Sequence, residues 1–360
     1  MKLETNQIKL ETNKILVTGA AGWLGQNLVR ALVDGLPDCP ALCEPMQGLT
    51  IRCLVLPGQD TSELQRISDH LEIIEGDIRQ ADDCQRFCQD AAGSILLHTA
   101  GIIHPQKVAE FEQVNVDGTA NLLRASVEQG VRRAVVVSSN SPCGCNPHPD
   151  HLFDEESSYN PYMNYGRSKM EMELLVRRYQ DGGKLETVIV RAPWFYGPLQ
   201  PARQTLFFKM IRDGKMPVVG SGENRRSMAY VDNLCQGILL AAGAQRANGQ
   251  VYWIADERPY AMNEIIDAVE TLLNEEFGEP CAGRQRRLPS VTSDIAQAVD
   301  SSLQKLGLYH QKIHVLSEMN KTIACSVDKA KKELGYAPTV ALEEGMRRSI
   351  SWCVDRGFLP

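Results

Sequence analysis

Apolar runs alternate with helical spacings over the first half of the chain. Lys14-Ile15-Leu16-Val17-Thr18 is a short run suited to a strand buried on both faces, and Leu24, Leu28 and Leu32 then recur at the helical interval. Further strands are predicted at 51–56, 71–74, 94–98, 134–138, 187–190 and 250–254, with helical patterns at about 81–91, 110–129 and 162–179. Strand and helix in alternation predict an α/β fold, a doubly wound parallel sheet covered by helices on both faces. From about residue 192 the rhythm breaks. Pro193, Pro198, Pro201 and Pro217, with Gly197, Gly214, Gly220 and Gly222, punctuate short irregular pieces. The chain is expected to re-enter the sheet at about 228–256. A smaller, mostly helical lobe is expected from 192–227 and 257–360. Lys-Leu-Glu-Thr-Asn occurs at 2–6 and again at 9–13; one repeat of a polar five-mer builds no solenoid, and residues 1–13 read as a mobile leader.

The first strand ends in Thr18-Gly19-Ala20-Ala21-Gly22-Trp23-Leu24-Gly25, which opens the first helix. Gly19 suits a tight turn, Gly22 allows a pyrophosphate to approach the backbone, and Gly25 allows helix and strand to pack closely. Free N–H groups and the helix dipole favour phosphate there. The bland alternative is a tight loop that tolerates glycine; its place after the first strand of an alternating chain favours a dinucleotide. Residues 14–191 then read as the dinucleotide-binding domain. The second strand should select between NAD and NADP, yet it ends Leu54-Val55-Leu56-Pro57-Gly58, with Arg52 before and Asp60 after. That choice stays open. Asp77 is placed to meet an adenine edge or to serve as a plain helix cap.

Tyr165-Gly166-Arg167-Ser168-Lys169 begins a helical pattern, so Tyr165 and Lys169 lie one turn apart on one face. A phenol is a poor base at neutral pH, and an ammonium nearby favours the phenolate. Such a tyrosine takes the proton of an alcohol while hydride leaves carbon, or returns it to an alkoxide. Alone, this spacing also describes an ordinary surface pair. A hydroxyl donor for the reacting oxygen stands in Ser138-Ser139-Asn140-Ser141, at a strand end where open α/β sheets place ligands.

Composition narrows the partners. A net charge of −7 argues against sequence-independent nucleic-acid binding. Nothing approaches the roughly 18 apolar residues of a membrane span, and the first residues are too polar for a secretion signal. The 11 cysteines form no framework and suit reduced thiols. A cytoplasmic protein with a small-molecule partner, without nucleic acid or membrane, is expected.

These pieces, in order, resemble an extended short-chain dehydrogenase/reductase of the NAD-dependent epimerase/dehydratase type, with features similar to 3β-hydroxysteroid dehydrogenases. The resemblance runs from the glycine turn through Gly76-Asp77, His98-Thr99-Ala100-Gly101, Asn115-Val116-Asp117-Gly118-Thr119, Ser138-Ser139 and Tyr165–Lys169. It continues with Arg191-Ala192-Pro193-Trp194-Phe195-Tyr196-Gly197-Pro198, the stretch Arg225 to Asn233, and Leu334-Gly335-Tyr336-Ala337-Pro338. It implies a Rossmann fold binding NAD or NADP along Gly19, Gly22, Trp23, Leu24, Gly25, Asp77, Ile78, Thr99, Ala100, Gly101, Asn115, Tyr165 and Lys169. It makes Tyr165 the acid or base, Lys169 the ribose anchor and Ser139 the orienting hydroxyl, since the family's serine stands five residues before a glycine, here Gly144. Ser141 is the second choice. Pro142-Cys143 replaces the family's common Val-Tyr. A homodimer through the 110–129 and 162–179 helices is also implied.

The substrate is less defined. Trp194 occupies the place where sugar-nucleotide members carry an asparagine, while Arg226 resembles their diphosphate-holding arginine or is a surface residue. An NAD(P)-dependent oxidoreductase acting on a secondary alcohol or ketone of a bulky small molecule is expected, touching Ser141, Trp194 and Arg226. A nucleotide-sugar epimerase or dehydratase recycling NAD is the alternative, and a cofactor-sensing scaffold the non-enzymatic one. Cys143, Cys145, His148 and His151 have ligand-like spacing, but three prolines stiffen the loop and no metal is expected. Cys84 and Cys88 are expected half-buried on one helix face. His98 and His104 are expected to flank the cleft, with His98 either supporting the cofactor loop, as the resemblance implies, or simply a packed histidine.

Overall fold

The computed structural model describes residues 10–359. The first copy of the repeated five-mer lies outside them. Of the second copy, Leu10 is buried against the core and Glu11 pairs with Arg132.

Seven strands form the central sheet: β1 (Lys14–Thr18), β2 (Thr50–Val55), β3 (Glu72–Glu75), β4 (Ile95–His98), β5 (Arg133–Ser139), β6 (Glu186–Ala192) and, after four short strands in the second half, β11 (Val251–Trp253). Their order is β11-β6-β5-β4-β1-β2-β3 and every pairing is parallel. Alternate residues point to opposite faces. Ile15, Val17, Ile51, Cys53, Ile95, Leu97, Val135 and Val188 join one buried cluster, with helices α1 (Trp23–Asp34) and α8 (Val231–Gly243). Leu16, Leu54, Leu96, Ala134, Val136 and Ile189 join another, with α3 (Ala81–Cys88), α5 (Thr119–Glu128) and α6 (Met163–Asp181). Apolar residues on both faces explain why these strands read as continuous hydrophobic runs. Cys84 and Cys88 are fully buried in the second cluster, deeper than the sequence suggested, because α3 lies flat against the sheet.

The pattern at 110–129 is not one uniform helix. It comprises a turn of α4 (Ala109–Glu112), a π-helical segment at Gln113–Gly118, and then α5. Such widened turns are rare and often sit at functional sites.

After β6, the strand β7 (Trp194–Tyr196) pairs with β10 (Met228–Tyr230). Around this pair a third cluster gathers α7 (Ala202–Arg212), β8 (Pro217–Val219), α9 (Met262–Glu275) and α13 (Leu342–Asp355). The hairpin of α10 (Val291–Lys305) and α11 (Gln311–Glu318) crosses the start of α6, with β13 (Arg286–Leu288) leading into it.

Arg133, buried at the start of β5, closes the other end of the sheet. Its Nη1 donates to the carbonyls of Ala241, Ala242 and Ala244 at 3.3, 2.8 and 2.8 Å, capping α8, and its Nε donates to Glu186 at 2.7 Å. A cation there meets both orphan carbonyls and the negative end of the helix dipole. Arg133→Ala leaves those carbonyls and a void behind; we expect a loss of about 3 kcal/mol in urea unfolding. Arg133→Lys is expected to retain part of it.

Candidate active site

The strand order reverses direction between β1 and β4, and ligands of open α/β sheets bind outside the carboxyl ends of the strands at such a point. The glycine turn follows β1, and Thr99, Ala100 and Gly101 follow β4, so the two loops face each other there. Gly19 has φ +65°, and a Cβ on it would lie 2.8 Å from the Ala100 nitrogen. A Cβ on Gly25 would lie 2.1 Å from the Gly19 carbonyl oxygen. Gly22 caps α1 in an extended conformation, leaving the first N–H groups, including those of Trp23 and Leu24, at the turn. The cradle fits the diphosphate of a dinucleotide. Trp23 donates to the Pro198 carbonyl at 2.8 Å and lies 4.5 Å from the Phe195 ring.

The second-strand end carries no discriminating charge. Arg52 is held by Glu72 at 2.7 Å and by the carbonyls of Phe87 and Gln89, Asp60 caps Ser62, and Leu56 is exposed. Asp77 follows β3 and pairs with Arg79, which holds its carboxyl below the usual range despite partial burial. Ile78 packs on Gly118 of the π-helical turn. In that turn the Asn115 amide donates to the Ile102 carbonyl (3.1 Å) and to Ser168 Oγ (3.0 Å) and accepts from the Ile102 nitrogen (2.9 Å). One side chain thus ties the β4 loop to α6, one turn from Tyr165.

The serine loop is registered on the start of α6 by backbone bonds. Tyr162 N donates to the Ser141 carbonyl at 3.0 Å and Asn160 N to that of Pro142 at 2.9 Å. Gly166 permits this approach, since a Cβ there would lie 2.5 Å from the Ser141 oxygen. Ser139 Oγ lies 3.4 Å from Ser141 Oγ, both residues are buried, and Tyr165 stands beside Ser139.

Lys169 differs from expectation. Its ammonium donates to the Val137 carbonyl at 2.8 Å and lies 3.2 Å from Met172 Sδ. Burial pushes it down to about 8, against the pull of Glu173. Tyr165 is not lowered toward neutrality either. Burial pushes it up to about 12, with Ser139 and Arg203 drawing it down and Glu318 adding to the rise. The sequence argument counted one charge one turn away; in the fold, Lys169 is turned to the Val137 carbonyl and desolvation dominates.

Sequence reasoning missed several neighbours. Phe111 lies 5.8 Å from the Tyr165 ring, and Tyr309 stands edge-on to Phe111 at 5.6 Å. Tyr309 OH meets His104 Nδ1 at 2.7 Å, and burial followed by Arg203 pushes His104 down to about 4. Beneath Lys169, the fully buried Glu173 receives Arg191 at 2.9 Å, Tyr159 OH at 2.8 Å and Ser138 Oγ at 2.5 Å. His98 is buried, matching the packed reading, and burial pushes it down to about 3. Tyr309 lies in a stretch without a motif, and the packing of α10–α11 brings it in. Trp194 packs edge-on against Phe207 at 5.4 Å. Arg226 donates to the Glu318 carbonyl, and its buried Nε has no partner among the described residues. Among those residues, no group of three or more His, Cys, Asp and Glu is arranged to hold a metal.

Comparison with known proteins is consistent with this geometry. The NAD dependent epimerase/dehydratase family matches residues 15–255. An uncharacterized protein of Sinorhizobium fredii is 55% identical, covering 98% of this chain and 99% of its own length. The 3 beta-hydroxysteroid dehydrogenase type 7 of Homo sapiens is 30% identical over 94% of each chain. Among solved structures, the dTDP-glucose 4,6-dehydratase DesIV of Streptomyces venezuelae, crystallised with NAD, is 25% identical with a TM-score of 0.73, covering 96% of this chain and 98% of that one.

Two outcomes are expected. Gly166→Ala pushes the Ser141 carbonyl away and shifts Ser139 relative to Tyr165, so turnover falls on the order of 100-fold while the fold survives thermal melting. Lys169, depressed in the fold, takes up fewer protons than in the unfolded chain between about pH 8 and 10.5, so stability rises with pH across that window. The full burial cost of its charge is present below pH 8. Urea midpoints compared at pH 7.5 and 9.5 should show the rise, and Lys169→Met should abolish it.

Proposed function

The chain belongs to the NAD-dependent epimerase/dehydratase family, and from that premise we propose that it is a net dehydrogenase or reductase of a bulky, partly apolar small molecule. Its reaction interconverts a secondary alcohol and a ketone. The observation that carries this reading is the aromatic cluster beside the tyrosine, with Phe111 against Tyr165, Tyr309 edge-on to Phe111, and Trp194 in the segment after β6. Rings of this kind suit an apolar skeleton better than a sugar ring.

The glycine cradle, Asn115 and Lys169 are the residues that would hold the dinucleotide, which supplies or accepts the hydride when bound. In the reductive direction the protonated Tyr165, kept so by burial, donates its proton to the oxygen of the ketone as hydride arrives at carbon. In the oxidative direction its phenolate takes that proton back. Ser139 donates to the same oxygen and holds it in line, with Ser141 supporting Ser139. The ammonium of Lys169 favours the phenolate when it is needed. The charge-free end of β2 leaves both NAD and NADP as test arms. The same reading takes the enzyme to be a homodimer through the outer sides of α5 and α6.

A nucleotide-sugar epimerase or dehydratase is the second reading. The partnerless Nε of Arg226 and the likeness to DesIV favour it. The decisive measurement offers NAD and NADP with a panel of hydroxysteroids and other apolar secondary alcohols, against a panel of nucleoside-diphosphate sugars. Net cofactor reduction with the alcohols, lowered at least 100-fold by Tyr165→Phe, is expected. Conversion of a nucleotide sugar without net reduction, with NAD retained through purification, would replace the first reading by the second. Cofactor binding with turnover of neither panel, unchanged in Tyr165→Phe, would point to the sensing scaffold.

A further inference from the structure

The α10–α11 hairpin is turned inside out. A helix at the surface of a soluble protein ordinarily buries its apolar stripe and exposes its polar side. Here Ala296 is the one buried apolar residue, and the others are the polar Ser293, Asp300, Gln304, His314 and Ser317. They are matched among themselves and to the start of α6. His314 Nδ1 meets Asp300 at 2.7 Å, Gln304 Nε2 donates to both Asp300 oxygens at 3.0 Å, and Asn164 donates to Gln304 Oε1 at 2.9 Å. Ser317 Oγ meets Tyr162 OH at 2.7 Å.

The outward side carries the aliphatic residues. Val291, Ile295 and Val299 follow one another at four-residue steps and Leu306 extends the same face, with relative exposures of 53, 60, 43 and 76%. Leu308 and Val315 of the turn and α11 are exposed beside them. A contiguous aliphatic stripe in water marks an interaction surface. The stripe is too short to cross a membrane, since α10 has only 15 residues and its aliphatic positions alternate with polar ones.

Charge identifies the partner. Residues 281–321 contain six Lys and Arg but three Asp and Glu, in a chain whose net charge is −7. Asp300 is buried under His314, Glu318 is turned toward the same histidine, and Asp294 is paired with Lys321. Arg284, Arg286 and Arg287 before α10, Lys305 at its end and Lys312 after it are exposed. None of the five forms an ion pair among the described residues. The aliphatic stripe is therefore bracketed by unpaired cations. A second copy of the same face would bring like charges together, since a two-fold interface sets a patch against itself. The stripe also lacks the aromatic anchors that enrich protein interfaces.

We propose that the α10–α11 hairpin is a peripheral docking face for an anionic lipid bilayer. Val291, Ile295, Val299 and Leu306 enter the headgroup–acyl boundary and the flanking Lys and Arg meet the acidic headgroups. The membrane is touched, not crossed. The proposal is independent of the substrate.

Flotation of the full chain with phosphatidylcholine vesicles, with and without about one-third phosphatidylserine, tests it. Binding is expected to the acidic vesicles, weak for the neutral ones, and reduced as salt is raised. Each basic residue near such a surface strengthens partitioning roughly fivefold, so Lys305→Ala with Lys312→Ala should weaken it on the order of 25-fold. Ile295→Asp should release the protein from acidic vesicles with an unchanged melting temperature, as its site is exposed. Failure to float with acidic vesicles, or flotation of Ile295→Asp equal to wild type, overturns the proposal. So does a dimer in light scattering that Ile295→Asp converts to monomer, which would assign the stripe to a second copy.

Discussion

A directed chain of hydrogen bonds across the point where the strand order reverses holds the site in register. Thr119 donates its only hydroxyl proton to the Asn115 carbonyl at 2.8 Å, so it must accept from His98 Nε2 at 2.9 Å. His98 Nδ1 is then an acceptor and takes the Thr18 hydroxyl proton at 2.7 Å, while the Ala100 nitrogen donates to Thr18 at 3.3 Å. Every donor has one place to go. The neutral state of His98, enforced by burial, is required for that direction, because a doubly protonated ring would leave Thr18 without an acceptor. The chain links β1, β4 and the π-helical turn, and Asn115 passes its position to Ser168 and so to Tyr165.

A second constraint fixes α6 from below. Glu173 and Arg191 are buried together, with Tyr159 and Trp253 each 5.5 Å from the guanidinium carbon. A buried ion pair adds little stability over an apolar substitute but is costly to break singly. Its position is specific: two turns along α6 from Tyr165, reaching Ser138 on β5 and Arg191 on β6. The reacting hydroxyls and the tyrosine are therefore carried on elements that cannot slide past one another without uncovering a charge.

The fold was legible because both faces of its sheet are buried. That condition writes strands as unbroken apolar runs and leaves the glycine turn at a recognisable place. Tyr165 and Lys169 were picked out by spacing and position, and Ser139 by family resemblance, but the charge state of the first two was not legible. Spacing counts neighbours one turn away, and desolvation depends on everything packed around them. The widened turn at Gln113–Gly118 kept enough helical periodicity to read as plain helix. The α10–α11 hairpin misleads in the opposite way. Val291, Ile295 and Val299 have the spacing of a buried stripe, and only the tertiary packing shows that Ser293, Asp300 and Gln304 took the inner side.

Trp23 has a consequence of a different kind. Its indole reaches from the glycine turn to the Pro198 carbonyl, and Asn27 on the same helix reaches that oxygen at 3.3 Å. The loop that would cradle the dinucleotide and the wall that follows β6 are thus one mechanical piece. Any ordering of the turn by one ligand is felt by the other, and thermodynamic linkage makes the effect reciprocal. Each ligand then changes the affinity for the other by the same factor, whichever arrives first.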